Sequence, residues 1–244
     1  MYKMKIQYFS DLHLELFRKK NLKFLDLFLK PCAPILVLAG DIGNPFDVIY
    51  ESFLCRVSKD FDKVFLVTGN HEYYKNDLSL TEEKIKEIIV NLKNVSFLNN
   101  SYEDYLGYRF VGTTLWSKIT NPDFLTNDFN QIKNLTIKKY NELHNSSREF
   151  LLQTLKTDKK VIVITHHLPS HSLIHPKYKN DYNYQQCFSS STDDIIKTPI
   201  VCWFYGHTHK PMLTTINGVM MCCNPIGYPG ENVHFNLNKY VNLD

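Results

Sequence analysis

Arginine is scarce in this chain. Of 28 basic residues only four are arginines, at positions 18, 56, 109 and 148. The planar arginine fork is the side chain best suited to gripping phosphates and base edges with paired hydrogen bonds. Its scarcity, with no dense Lys/Arg block and a net charge of only +3, argues against a dedicated nucleic-acid surface. No apolar run approaches the roughly 18 residues of a membrane span. The N-terminus lacks the apolar stretch and small-residue cleavage site of a signal peptide and reads as a strand. Six cysteines stand at 32, 55, 187, 202, 222 and 223, with no Cys-x-x-Cys pair among them. They are expected to be reduced core thiols in a soluble, intracellular, cytoplasmic protein. With 43% apolar and 22% charged residues, 244 positions suit one globular α/β domain over 1–244.

Five short apolar runs each end on residues of metal-ligand type. Lys5 to Phe9 runs into Asp11 and His13, and Ile35 to Ala39 into Gly40-Asp41. Val64 to Val67 runs into Gly69-Asn70-His71-Glu72, and Val161 to Ile164 into His166-His167. Val201 to Tyr205 runs into Gly206-His207-Thr208-His209. Short β-branched and aromatic runs read as buried strands. In an open α/β sheet, ligands bind beyond the carboxyl ends of the strands. Five such ends delivering Asp, His and Asn to one rim describe a polynuclear metal site and a hydrolytic metalloenzyme. Taken singly, Asp11, Asp41 and Asn70 suit turns and helix caps. His13 or His207 alone suits a satisfied core histidine. The ordered set outweighs both readings.

Between these runs the first half reads as βαβαβα. Helices are expected over Leu22–Leu29, Val48–Val57 and Ser79–Leu92. Ser79 with Glu82 has capping-box spacing, and Ile85, Ile88, Ile89 and Leu92 share one face. Strands alternating with helices imply parallel pairing. Short strands follow at 95–98, 102–106 and 108–111, with a hairpin turn at Leu106-Gly107. A second hairpin is expected over Thr214–Cys223, turning at Asn217-Gly218. Two long connections, 116–148 and 168–199, read as excursions over the site rim, and loops of that length are often functional. Trp116 and Trp203 read as packing residues, and Glu72 as a support to the site or a surface residue. His144, His171, His175 and His234 are expected in loops or on the surface.

Asp11-Leu12-His13, Gly40-Asp41, Gly69-Asn70-His71-Glu72, His166-His167 and Gly206-His207-Thr208-His209, in this order, resemble the motifs of the calcineurin-like metallophosphoesterases. They span residues 11 to 209, and the tail Cys223-Asn224-Pro225-Ile226-Gly227-Tyr228 is similar to a compact soluble branch of that family. The resemblance implies a four-layer αββα sandwich, two facing mixed β-sheets flanked by helices. It also implies a phosphatase-type hydrolase with two divalent ions. Asp11, His13 and His209 would hold one ion, Asn70, His166 and His207 the other, and Asp41 would bridge them. Attack on a phosphate mono- or diester would come from a hydroxide bridging the ions. His71 would face the scissile ester, stabilising charge or protonating the leaving oxygen. Such ions lie about 3.5–4 Å apart and bring bound water to a pKa near 7. Mixed carboxylate and imidazole donors suit Mn, Fe, Zn, Co or Ni better than Ca or Mg, with Mn expected to support activity in vitro.

His167 competes with His166 as the ligand, and the family motif matches the first histidine after the strand. Tyr182 and Tyr184, in the second excursion, are candidate substrate contacts. The substrate is expected to be a small phosphoester or a phosphoprotein, and no membrane partner is expected. Two alternatives are carried with this reading. One is a nuclease of the same superfamily. The other is a scaffold that keeps the fold without catalysis, which predicts broken motifs that this sequence does not have.

Overall fold

The computed structural model describes residues 3–17, 30–231 and 235–244. One sheet contains β1 (Met4–Phe9), β2 (Ile35–Ala39), β3 (Lys63–Val67), β4 (Val95–Phe97) and β11 (Tyr240–Leu243). Its order is β11-β1-β2-β3-β4, parallel except where β11 runs against β1. The second sheet contains β5 (Ser101–Tyr105), β6 (Tyr108–Gly112), β7 (Lys160–Ile164), β8 (Ile200–Phe204), β9 (Met212–Ile216) and β10 (Val219–Cys223). Its order is β5-β6-β7-β8-β10-β9, with parallel pairing in the centre and an antiparallel hairpin at each edge. Both hairpins turn on left-handed pairs, Leu106-Gly107 and Asn217-Gly218, the backbone that a two-residue type I′ turn requires.

The two sheets face each other. Ile35, Val37 and Ala39 from β2 and Phe65 and Val67 from β3 meet Phe110, Ile162, Ile164 and Phe204 from the second sheet. The alternate residues Leu36, Leu38, Val64 and Leu66 point the other way. They pack against α1 (Val48–Asp60) and α2 (Leu78–Ile89), through Phe53, Leu54 and Val57 and through Ile85 and Ile88. Strands covered on both faces have no polar side to present, so they appear in the sequence as continuous apolar runs. The outer face of the second sheet, Val111, Val163, Trp203 and Met221, is covered by α4 (Ile137–Thr154) and the second excursion. This gives the four-layer α/β arrangement. Among the described residues no helix is long and apolar enough to cross a membrane.

Several expectations need correction. The cap of α2 is Asp77, whose side chain accepts from the Leu80 N–H at 2.8 Å. Ser79 therefore lies inside the first turn, and the capping-box spacing with Glu82 is incidental. The helix ends at Ile89, although Ile89 and Leu92 still pack on the same cluster. His144 is neither in a loop nor on the surface. It lies on the buried stripe of α4 with Tyr140, Ser147 and Leu151, and its Nδ1 is 2.7 Å from the Trp116 carbonyl. The i, i+4, i+7 spacing of that stripe was the available signal. The expected helix over Leu22–Leu29 and His234 lie outside the described residues.

The excursions have a core of their own. Trp116, Ile119, Ile132, Leu135 and Tyr140 from the first pack with Cys187 from α5 (Tyr182–Phe188) of the second. A short helix, α3 (Asp128–Gln131), sits in the first excursion. Between the sheets, Phe65 and Phe110 stack with ring centroids 4.0 Å apart and planes 10° apart. Phe110→Ala is expected to destabilise the protein by about 3–5 kcal/mol through lost apolar burial and the cavity left behind. Urea denaturation measures this; a loss below ~1 kcal/mol would show that the inter-sheet core collapses around the gap.

Candidate metal centre

The carboxyl ends of β1, β2, β3, β7 and β8 converge on one rim, and the chain turns sharply at each. Asp11, His13, Asp41, His207 and His209 all have positive φ, between 46° and 65°. Non-glycine residues seldom adopt this left-handed backbone, and it concentrates at functional sites. It also explains how ligand pairs two residues apart, 11 with 13 and 207 with 209, turn toward one centre rather than along an extended strand. Glycine occurs where side chains approach the backbone too closely for a Cβ. A Cβ on Gly69 would lie 2.1 Å from Asp41 Oδ1, and one on Gly206 would lie 2.8 Å from Asp11 Oδ2.

Among the described residues three groups of side chains bring ligand atoms within 4.8 Å of one another: Asp11, His13 and His209; His13, Asp41 and His71; Asp41, His166 and His207. Asp41 belongs to two of them. Its Oδ2 is 3.8 Å from His13 Nε2 and 3.3 Å from His166 Nε2. Asn70 adds a carbonyl oxygen 3.2 Å from His166 Nε2. His13 Nε2 lies 3.1 Å from His209 Nε2, and His166 Nε2 lies 3.1 Å from His207 Nδ1.

The donor set fits divalent ions. Burial opposes ionisation of Asp11 and Asp41, yet the surrounding histidines hold both carboxyls below their usual range. Burial likewise opposes protonation of His166, but Asp41 outweighs it and raises the imidazole to about 10. A site that stabilises buried anions in this way is built for positive charge. Among the described residues His207 Nε2 is buried without a hydrogen-bond partner, a cost to folding unless something binds it. His166 faces Asp41, whereas His167 joins none of the three groups. Both His167 nitrogens lack hydrogen-bond partners among the described residues, and burial with the neighbouring His166 pushes it down to about 3. It is a neutral ring packed 4.3 Å from the His207 ring.

His71 follows Asn70 in a 3₁₀ turn, His71–Tyr73. Its Nδ1 is 3.1 Å from Glu15 Oε1 and its Nε2 is 3.4 Å from the Tyr228 hydroxyl. Its ring stacks on Tyr74 at 4.2 Å. Burial works against the charged imidazole, but Asp41 and Glu15 raise its pKa overall. Tyr228 is brought over the centre by the tail, where the Ile226 and Gly227 N–H groups donate to the carbonyls of Ser10 and Asp11. Glu231 then accepts from His209 Nδ1 at 2.7 Å and from the Tyr228 N–H at 2.9 Å.

Glu72, the motif residue whose place the sequence left open, is fully buried. Its carboxylate accepts from the N–H groups of Gly69 at 2.7 Å, Ile42 at 2.7 Å and Asp41 at 3.0 Å. Burial and the nearby Asp41 push its carboxyl up to about 8, and the backbone donors oppose that rise. Glu15, Tyr74, Asp128 and Glu231 were missed by sequence reasoning, and Tyr228 was noted only as part of the tail, without a role in the site. Glu15 also had a signal, its position just beyond the Asp11-Leu12-His13 motif.

A cavity of about 530 Å³ opens above this floor. One wall is the aromatic stack Tyr178–Tyr184–Phe188, with ring centroids 4.1 and 4.0 Å apart, which continues onto His207 at 4.8 Å. Tyr74, Tyr228, Lys177 and Lys210 also line the cavity. Tyr184 lines it and Tyr182 does not. Tyr182 is 61% exposed, and its hydroxyl is 2.8 Å from Thr120 Oγ1 beside a separate hollow. Side chains two apart share a face in a strand but point about 200° apart in a helix, and this segment is α5. His175, expected in a loop or on the surface, lies in a loop that lines the cavity, and His171 reaches Ser189 Oγ at 2.6 Å.

Polar ligands gathered at strand ends, under a cavity deep enough for an organic phosphate, define a metal-dependent hydrolase. The chain belongs to the calcineurin-like phosphoesterases: residues 4–211 match that family's model. It is accordingly a phosphoester hydrolase. Protein L509 of Acanthamoeba polyphaga mimivirus is 32% identical over 271 residues, covering 98% of this chain and 96% of that protein. Among solved structures, phosphopantetheinyl hydrolase from Mycobacterium tuberculosis superposes with a TM-score of 0.73 at 19% identity, over 94% of this chain and 91% of that one. TT1561 of Thermus thermophilus superposes with a TM-score of 0.62 at 13% identity, over 99% and 98%. At these identities the two structures speak for the fold.

Glu72→Ala would strand three buried N–H groups, at a cost of about 1–3 kcal/mol for each. The variant is expected to lose several kcal/mol of stability and to bind metal poorly, as read by denaturation and by metal content. A variant with wild-type stability and metal content would show that these loops hold without the carboxylate.

Proposed function

We propose that the chain hydrolyses phosphate mono- or diesters at a two-ion centre. The observation that carries this reading is the position of Asp41, shared between a group on one side and a group on the other. Asp11, His13 and His209 are assigned to one ion, Asn70, His166 and His207 to the other, and Asp41 to both. When bound, the ions supply an activated water and neutralise charge on the phosphoryl oxygens.

The remaining work falls to the chain itself. His71 is assigned to the leaving oxygen. Glu15 accepts at its Nδ1, so Nε2 is directed toward Tyr228. Stacking on Tyr74 limits rotation of the ring. The aromatic stack ending on His207 keeps water from one side of the cavity and offers an apolar surface to the organic part of the substrate. Manganese is the ion proposed for activity in vitro.

A small phosphoester or a phosphoprotein is the preferred substrate. Arg109 and Arg148 are committed to Asp104 and Asp194, and neither lines the cavity. The two lysines of the cavity make a small cationic patch rather than a groove for a nucleic-acid backbone.

Chelation is expected to abolish hydrolysis of chromogenic phosphoesters, and Mn²⁺ or a similar ion to restore it. Full activity in a metal-depleted sample would overturn the mechanism. Asp41→Asn should weaken both ions. His71→Gln should retain them while kcat falls by about 10²–10⁴-fold, most for poor leaving groups. Equal metal loss in the two variants would make His71 a ligand instead. Tyr184→Ala should raise KM or reorder substrates with metal content intact, as lost uniform binding does. Tyr182→Ala should change neither, and a larger effect from Tyr182 would contradict the cavity assignment.

A further inference from the structure

Asn70 is the one amide among the assigned ligands, and it could face the centre in two ways. Its amide is nearly symmetric in shape, so two orientations fit the same space. One presents the carbonyl oxygen to the centre; the other presents an NH₂ group, which repels cations. Something must choose between them.

We propose that Asp128 is the positioning residue that makes this choice and so completes the second ion site. This rests on the two-ion reading above. Asp128 is 2% exposed and is contributed by α3 of the first excursion, outside every family motif. Its Oδ1 accepts from Asn70 Nδ2 at 2.8 Å. That oxygen also accepts from the Tyr74 hydroxyl and so presents lone pairs to its neighbours, and the Asn70 NH₂ faces it. The amide oxygen is then turned to the other side, where it lies 3.2 Å from His166 Nε2.

The same carboxylate oxygen accepts from the Tyr74 hydroxyl at 2.8 Å, and Tyr74 is the ring on which His71 stacks. The other oxygen, Oδ2, accepts from Thr126 Oγ1 at 2.9 Å. Asp128 is thus held on both sides and supports both the ligand and the residue next to it.

The backbone keeps this contact in register. The Lys75 N–H donates to the Gln131 carbonyl at 2.7 Å, and the Lys133 N–H donates to the Asn76 carbonyl at 2.9 Å. These bonds tie α3 and its flank to the segment just after Asn70–Tyr74. The first excursion is therefore part of the metal centre, not only a wall around it.

Groups that orient metal ligands in this way typically account for about 10–100-fold in metal affinity or activity. The test is Mn²⁺ titration by calorimetry, with electron paramagnetic resonance reporting one ion against a coupled pair. Wild type is expected to take up two ions. Asp128→Ala is expected to keep the first and bind the second about 10–100-fold more weakly. Its kcat should fall at limiting Mn²⁺ and recover partly in excess, with KM changed less than about threefold. Asp128→Asn can still turn an amide oxygen toward Asn70 and is expected to stay within about threefold of wild type.

Wild-type affinity for both ions in Asp128→Ala overturns the proposal, as does an Asp128→Asn variant as defective as the alanine. A wild-type chain that binds a single ion overturns the two-ion reading and this assignment with it. Should Asp128→Ala fail to fold, Thr126→Ala leaves the carboxylate in place with one oxygen unsupported. Its second-ion affinity is expected to fall a few-fold, and unchanged affinity counts against the proposal.

Discussion

The site depends on one buried carboxylate that is not assigned to a metal. Glu72 accepts hydrogen bonds from Gly69 on one loop and from Asp41 and Ile42 on another. Those loops follow neighbouring parallel strands, β3 and β2, and carry Asn70 and Asp41. Parallel strands place their ends side by side but leave the N–H groups beyond the last ladder bond without partners. Glu72 takes up these donors and joins the two loops as one unit. The backbone of Asp41, the residue shared between two ligand groups, is held by these bonds.

The rest of the centre follows the same pattern of oriented ligands. Glu15 lies against both His13 and His71, Glu231 fixes His209 and Tyr228, and Asp128 fixes Asn70. Asp128 is 58 positions from Asn70 and Glu231 is 22 from His209, and Glu72 acts through backbone N–H groups. Left-handed backbone at five candidate ligands adds strain, and the network of hydrogen bonds over-determines the geometry enough to hold it. The two excursions belong to this arrangement. The first supplies Asp128, and the second supplies the aromatic stack that ends on His207.

Two facing sheets supply the frame. Covered on both faces, the strands tolerate little movement, because interiors packed at crystal-like density transmit any shift. The strand ends are correspondingly well placed, while the cavity walls come from connections that can change without disturbing them. The residues of the metal centre thus stand on the frame, while most of the cavity wall comes from the excursions.

Much of this was legible in the chain itself. Apolar runs of four or five residues marked the central strands, and the dipeptides Asn217-Gly218 and Leu106-Gly107 marked the turns, because burial and positive φ impose strict local demands. The candidate ligands were legible for the same reason: they sit immediately after those runs, where the topology requires a site. Features that depend on distant contacts were not legible. Ser79 read as the cap of α2, and the path of the backbone placed Asp77 there instead. Tyr182 and Tyr184 looked equivalent until their segment was seen to be helical. Asp128 gave no local sign of burial. By itself the sequence determined which residues could bind metal and that they would meet at one rim. Only the tertiary structure decided which buried carboxylates hold them in place, since those partners are joined by packing between segments and not by any spacing along the chain.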